Sequence, residues 1–159
     1  MKFPIQALAL VLLAFATGCS TPSKAEVDAE VKRLCAIDGG IRVYEVVKLP
    51  ADKFDERGDI NFLRQTQKGN ELGPDYIYKW DQRDLIRGVP TRDPSELAMT
   101  RGHLQISRKA DGKLLGEVVR YTRAGGDFPG PWMPTSYHCP DAREASEPIL
   151  LRQIFMRQQ

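Results

Sequence analysis

Leu104-Gln105-Ile106-Ser107-Arg108-Lys109-Ala110-Asp111-Gly112-Lys113-Leu114-Leu115-Gly116-Glu117-Val118-Val119-Arg120-Tyr121-Thr122 is the stretch that decides the fold. Leu104 and Ile106 alternate with His103, Gln105 and Ser107, the period of two that a half-buried strand shows. Ala110-Asp111-Gly112-Lys113 follows. An Asp-Gly pair between two alternating runs marks a hairpin, because the turn needs residues that tolerate positive φ. Leu114 to Thr122 then returns as a second strand, with Leu115, Val119 and Tyr121 expected on one face. His103 falls on the polar face and is expected to be exposed.

Working toward the C-terminus, Ala124 to Pro134 reads Ala-Gly-Gly-Asp-Phe-Pro-Gly-Pro-Trp-Met-Pro. Its prolines restrict the backbone, while Phe128, Trp132 and Met133 are large and apolar. Presented to solvent, these three would make a preformed contact for a partner. Folded back, they would form a lid over the sheet, and the scarcity of exposed apolar patches favours that arrangement. His138 and Cys139 are neighbours, a pairing that suggests zinc, but only two histidines exist and no further ligands have suitable spacing. No metal site and no cofactor is expected. Ile149 to Met156 is apolar and β-branched enough for a final strand, with a short helix as the alternative.

Toward the N-terminus, Asp84 to Gly102 holds Gly88, Pro90 and Pro94 and reads as a connection. Arg83, Arg87, Arg92 and Arg101 alternate there with Asp81, Asp84, Asp93 and Glu96, the pattern of a solvated loop rather than an anion site. Tyr76-Ile77-Tyr78-Lys79-Trp80 has strand composition, with its aromatics on one face. Pro50 to Pro74 reads as a long polar loop with a short helical turn around Ala51 to Glu56. Ile41 to Leu49 reads as a strand whose inner face carries Ile41, Val43, Val47 and Leu49, interrupted by Glu45. Buried, Glu45 would have a raised pKa and could serve as a catalytic acid; a bulge, a rim position or an arginine partner is the commoner outcome. Ser23-Lys24-Ala25-Glu26 is a capping box, and Val27, Val31, Leu34 and Cys35 follow at helical spacing before Gly39 and Gly40. A helix is expected from about Lys24 to Ile37.

Residues 1–18 open with Lys2 and continue with an apolar run from Ala7 through Phe15, the pattern of a secretory signal peptide. The run ends Ala16-Thr17-Gly18-Cys19, which resembles the lipobox of bacterial lipoproteins; Ala16 stands where that family usually has Leu. The resemblance implies a diacylglycerol on the Cys19 thiol, cleavage just before it and acylation of the new amino terminus. Three chains hold stably where one holds marginally, since each buried methylene contributes about 0.8 kcal/mol. The competing reading, cleavage after Ala14-Phe15-Ala16, leaves Cys19 a free thiol. Ser20 follows, where an Asp commonly retains Gram-negative lipoproteins at the inner membrane. By that resemblance the protein would sit in the outer membrane, facing the periplasm. The stretch Cys35-Ala-Ile-Asp-Gly-Gly-Ile-Arg-Val-Tyr-Glu45 resembles small uncharacterised lipoproteins of proteobacteria, which implies no activity.

The chain has three cysteines. With lipid on Cys19 two remain, and an exported protein in an oxidising compartment is expected to pair Cys35 with Cys139; two buried free thiols are the alternative. The whole chain carries 23 Lys plus Arg and 21 Asp plus Glu. Near-neutral charge of mixed sign gives no case for nucleic acid and supplies no polybasic segment.

The expected architecture is α+β: one globular domain over 24–159 on a lipidated tether, 19–23. Its N-terminal helix packs on a twisted antiparallel sheet of about four to six strands. The expected function is a membrane-anchored periplasmic lipoprotein with a non-enzymatic, binding or envelope-structural role. Its partners would be the membrane, through Cys19, and an envelope protein, through Phe128, Trp132 and Met133. A small periplasmic hydrolase acting on envelope material is the alternative, although no known nucleophile motif is visible.

Overall fold

The computed structural model describes residues 21–61 and 71–158. The expected signal peptide over 1–18, Cys19, Ser20 and part of the stretch from Pro50 to Pro74 lie outside them. In chain order the elements are α1 (Lys24–Asp38), β1 (Gly40–Val43), β2 (Val47–Leu49), a 3-10 turn (Ala51–Lys53), β3 (Glu71–Leu72), β4 (Tyr76–Ile86), β5 (Leu97–Arg108), β6 (Leu114–Gly125), β7 (Ser136–Cys139), α2 (Glu147–Ile154) and β8 (Phe155–Arg157).

β5 and β6 form the expected hairpin, antiparallel from Leu97↔Gly125 to Ser107↔Leu114. The turn spans Lys109 to Gly112, with Gly112 at φ 70° and its amide donating to the Arg108 carbonyl at 2.9 Å. Around this hairpin the main sheet runs β1-β6-β5-β4-β3, and β7 pairs with β6 beyond the end of β1. β1 and β7 therefore lie end to end along one edge of β6.

Pairing jumps from Ile106↔Gly116 to Ser107↔Leu114, so Leu115 is an extra residue in β6. Such a bulge reverses the inside–outside alternation beyond it. Leu115 consequently packs with Val118, Leu104 and Ile106, while Val119 and Tyr121 pack on the opposite face with Met99. The single face expected for Leu115, Val119 and Tyr121 is corrected accordingly.

The bulge also divides the strand expected from Ile41 to Leu49. The Leu115 carbonyl accepts the amides of both Tyr44 and Glu45, at 2.8 and 3.1 Å, and the chain leaves the main sheet there. β2 then pairs in parallel with β8. Ile41, Val43, Val47 and Leu49 still pack on one core, as their spacing indicates.

The connection expected over Asp84 to Gly102 is shorter. β4 continues to Ile86 and β5 begins at Leu97, leaving only 87–96 between them. Antiparallel sheets tolerate charge on a solvated face, and two of the arginines lie on strands and are paired: Arg83 meets Asp81 within β4 at 3.0 Å, and Arg101 of β5 meets Asp38 at the end of α1 at 2.7 Å.

Each face of the sheet carries one helix. α1 begins with the expected capping box, the Glu26 amide donating to the Ser23 hydroxyl at 3.3 Å and the Ser23 amide to the Glu26 carboxylate at 2.7 Å. It buries Val27, Val31 and Cys35 against Met99, Val119 and Tyr121. α2 lies on the other face, where Leu150, Leu151 and Ile154 meet Leu104, Ile106, Leu115 and Val118. The final strand expected over Ile149 to Met156 is therefore mostly helix, shrinking to β8 at its end. Helical spacing of the buried leucines and Pro148 in the first turn outweigh the β-branched content. Cys35 and Cys139 form a disulfide with Cα atoms 5.9 Å apart, tying the last turn of α1 to the end of β7.

Candidate functional site

The loop after β6 is fastened to α1 at its base. Gly125 and Gly126, at φ 77° and 75°, turn the chain out of the strand. A Cβ on Gly125 would lie 1.9 Å from the Glu96 carbonyl oxygen, so only glycine fits. The Gly126 amide donates to that carbonyl at 3.1 Å and the Asp127 amide to Pro94 O at 2.9 Å. The Asp127 carboxylate accepts from Lys24 Nζ at 2.5 Å, the Thr135 amide at 2.7 Å and the Thr135 hydroxyl at 2.8 Å. The Lys24 ammonium, then the Thr135 donors, hold the Asp127 pKa down to about 2.

Beneath them Arg123 is 3% exposed. Its guanidinium donates to Asp28 at 2.8 and 3.2 Å, to Gly125 O at 3.1 Å, and to both oxygens of Thr135 at 3.0 Å. Both stems of the loop are thereby closed onto the first turns of α1.

Above this base the tip is presented to solvent. Phe128 is 86% exposed, Met133 83% and Trp132 51%. Trp132 Nε1–H donates to Phe128 O at 2.9 Å, closing the tip across Pro129, Gly130 and Pro131. The lid favoured on the sequence does not form: α1 already fills the sheet face on that side, and the braced stems hold the tip away from it. A cleft of about 470 Å³ opens between the tip and Lys24, lined also by Asp127, Phe128, Trp132 and Thr135.

Glu45, Glu117 and the two histidines lie away from the loop, and each is hydrogen-bonded. Glu45 is held by Arg108 and, at 2.5 Å, by Lys113. The Lys113 and Arg108 hydrogen bonds lower its pKa, the opposite of what a general acid needs. Glu117 is 8% exposed and accepts from Tyr44 at 2.5 Å, His103 Nε2 at 2.7 Å and Arg42 at 3.5 Å. Burial alone would raise its pKa; the Tyr44 and His103 bonds reverse that and lower it. His103 is thus drawn onto a carboxylate rather than left in solvent.

On β7, His138 is exposed and bridges two hydroxyls: Nε2 meets Ser136 at 3.1 Å and Nδ1 meets Thr122 at 3.0 Å. Partial burial of the ring, and next the charge of Arg120, lower the His138 pKa and favour neutral imidazole. The disulfide takes the Cys139 thiolate that a zinc site beside His138 would need. Among the described residues, no group of three or more His, Cys, Asp or Glu is placed to hold a metal, and no helix is long and apolar enough to cross a membrane.

The structure therefore joins Cys35 to Cys139 and gathers Phe128, Trp132 and Met133 on one tip, while Cys19 lies outside the described residues. Lys24, Asp127 and Thr135 carry no local signal, since Lys24 and Asp127 are 103 positions apart, whereas Arg123 continues the alternation of Val119 and Tyr121. Glu117 does carry one: the alternation that points Val119 and Tyr121 inward points it with them. In comparisons with known proteins, no family model matches the chain, and no curated protein and no solved structure matches it either.

Proposed function

We propose that this chain is an exported protein, anchored by lipid at Cys19, whose folded domain binds at the cell envelope and does not catalyse. The observation that carries the binding reading is the apolar tip. Three large side chains stand exposed on a base whose hydrogen bonds hold them there, so little ordering entropy is lost on contact. The pairing of Glu45 and Glu117 supports it, because both carboxylates are stabilised as anions and neither is poised to transfer a proton near neutral pH.

A photo-crosslinking residue in place of Phe128, expressed in the native envelope, tests this reading. Adducts are expected from position 128 and lost when Trp132→Ala is added. An equally reactive probe at Ile37, 66% exposed on α1, serves as the control. Equal yields from 128 and 37, or none from 128, contradict the reading.

One observation favours a hydrolase as the second reading. With Nδ1–H donated to Thr122, Nε2 of His138 is free to accept the Ser136 proton, the order of nucleophile, base and orienting group that acyl transfer uses. Covalent labelling of Ser136 by a fluorophosphonate would support it. Absence of labelling leaves His138 as a strand-pairing residue.

A further inference from the structure

The position of the tip relative to the start of α1 selects the surface it meets. Lys24, the first residue of α1, donates to Asp127 at 2.5 Å and to Thr135 at 2.8 Å. A Cβ on Gly126 would lie 3.2 Å from that of Lys24. Immediately before Lys24 comes Ser23, and four peptide steps separate Ser23 from Cys19. Fully extended, four residues reach about 14 Å. If Cys19 is acylated, as proposed above and as this inference requires, the loop base stays close to the point where the acyl chains enter the bilayer.

The same end of the molecule carries the rest of an interfacial surface. Connection 87–96 touches the loop base through Glu96 and Pro94, and it holds Val89, 52% exposed. Arg87 and Arg92 are exposed in that connection, and among the described residues neither has an ion pair. Tryptophan and phenylalanine are the side chains that settle at the boundary between headgroups and acyl chains, and arginine pairs with the phosphates there. A convex apolar tip suits a fluid boundary, which needs no matching pocket. The tether also keeps this boundary at high effective concentration, an advantage no freely diffusing protein has.

We propose that Phe128, Trp132 and Met133 insert into the headgroup boundary of the membrane that holds the protein's own anchor. The domain then stands on the bilayer in one orientation, with the loop and the start of α1 down. Twelve-residue β6 separates this end from the hairpin turn at Asp111, so the turn, with Arg108, Lys113 and Glu45, is lifted roughly 40 Å toward the aqueous side.

The test uses the intact, membrane-extracted protein with Trp80→Phe, leaving Trp132 as the sole tryptophan. It is reconstituted into phosphatidylethanolamine–phosphatidylglycerol vesicles, with or without bromine near the carbonyl end of the acyl chains. Trp132 emission is expected to move to shorter wavelength on reconstitution and to lose most of its intensity in the brominated vesicles. Because Trp80 packs over Gly102, the chain with both tryptophans replaced by 5-fluorotryptophan repeats the test without substitution. Its Trp132 fluorine resonance, assigned with Trp132→Phe, should broaden with paramagnetic lipid while that of Trp80 stays sharp. The mass of the amino-terminal peptide is read on the same sample. An acylated Cys19 with unquenched, unbroadened Trp132 overturns the inference and leaves the anchored reading standing. A bare Cys19 overturns both.

Discussion

A carboxylate that accepts an ammonium, an amide and a hydroxyl together must be ionised, and Asp127 meets all three between Lys24 and Thr135. Its folded pKa is about 2 against an ordinary 3.8. For a group whose pKa is depressed by folding, the stabilisation is complete above the unfolded value and disappears as pH falls through the folded one. The loop base is therefore expected to hold at pH 5 and to loosen as pH falls from about 4 through about 2. The Thr135 amide shift, followed by NMR, should titrate with a midpoint near 2, and Asp127→Asn should abolish that titration. A midpoint at an ordinary carboxylate value would mean that Lys24 and Thr135 do not hold Asp127. Nothing in the sequence near Asp127 announces this network, because its partners arrive from α1 and from beyond the tip. Glu45 shows the opposite case. Its interruption of an apolar face is legible, and the structure resolves it as an ion pair with Arg108 and Lys113.

Elements were legible where one local signal was enough to specify them. α1 has its capping box, its stripe of Val27, Val31 and Cys35, and Gly39 at its end; the β5–β6 hairpin has alternation and an Asp-Gly turn. Reading failed where a tertiary contact decided. The Leu115 bulge, fixed by the Tyr44 and Glu45 amides, reassigns one side chain and splits the Ile41–Leu49 run, and no period within either segment encodes it. Ile149–Met156 fits both periods over so few residues, and burial against β6 selects the helix. The disulfide joins two elements, and its effect belongs at this scale. Closing a loop with a sequence separation of 104 contributes roughly 4–5 kcal/mol in the chain-entropy model. Cys139→Ser is expected to lower the urea midpoint accordingly without changing the far-ultraviolet spectrum at low denaturant. A loss of unfolding free energy under about 1 kcal/mol would show that α1 is held by Val27 and Val31 burial alone.

At the scale of the molecule, the sheet has a helix on each face and the braced loop at one end, next to Lys24, the first residue of α1. With Cys19 acylated, as proposed above, that arrangement would make the orientation of the domain a consequence of where its chain is fastened. The α+β class with one disulfide was readable from pattern and cysteine count. The exposure of Phe128, Trp132 and Met133 was not, because composition alone cannot tell a lid from a presented tip; the hydrogen bonds of Arg123 and Asp127 make that choice. The measurement that bears most directly on the account is the intact mass of the protein extracted from its own envelope, with fragmentation of its first peptide. The account predicts a chain beginning at Cys19, carrying a thioether-linked diacylglycerol and an amide-linked acyl group. A chain that keeps its first eighteen residues, or an unmodified thiol at Cys19, would contradict it.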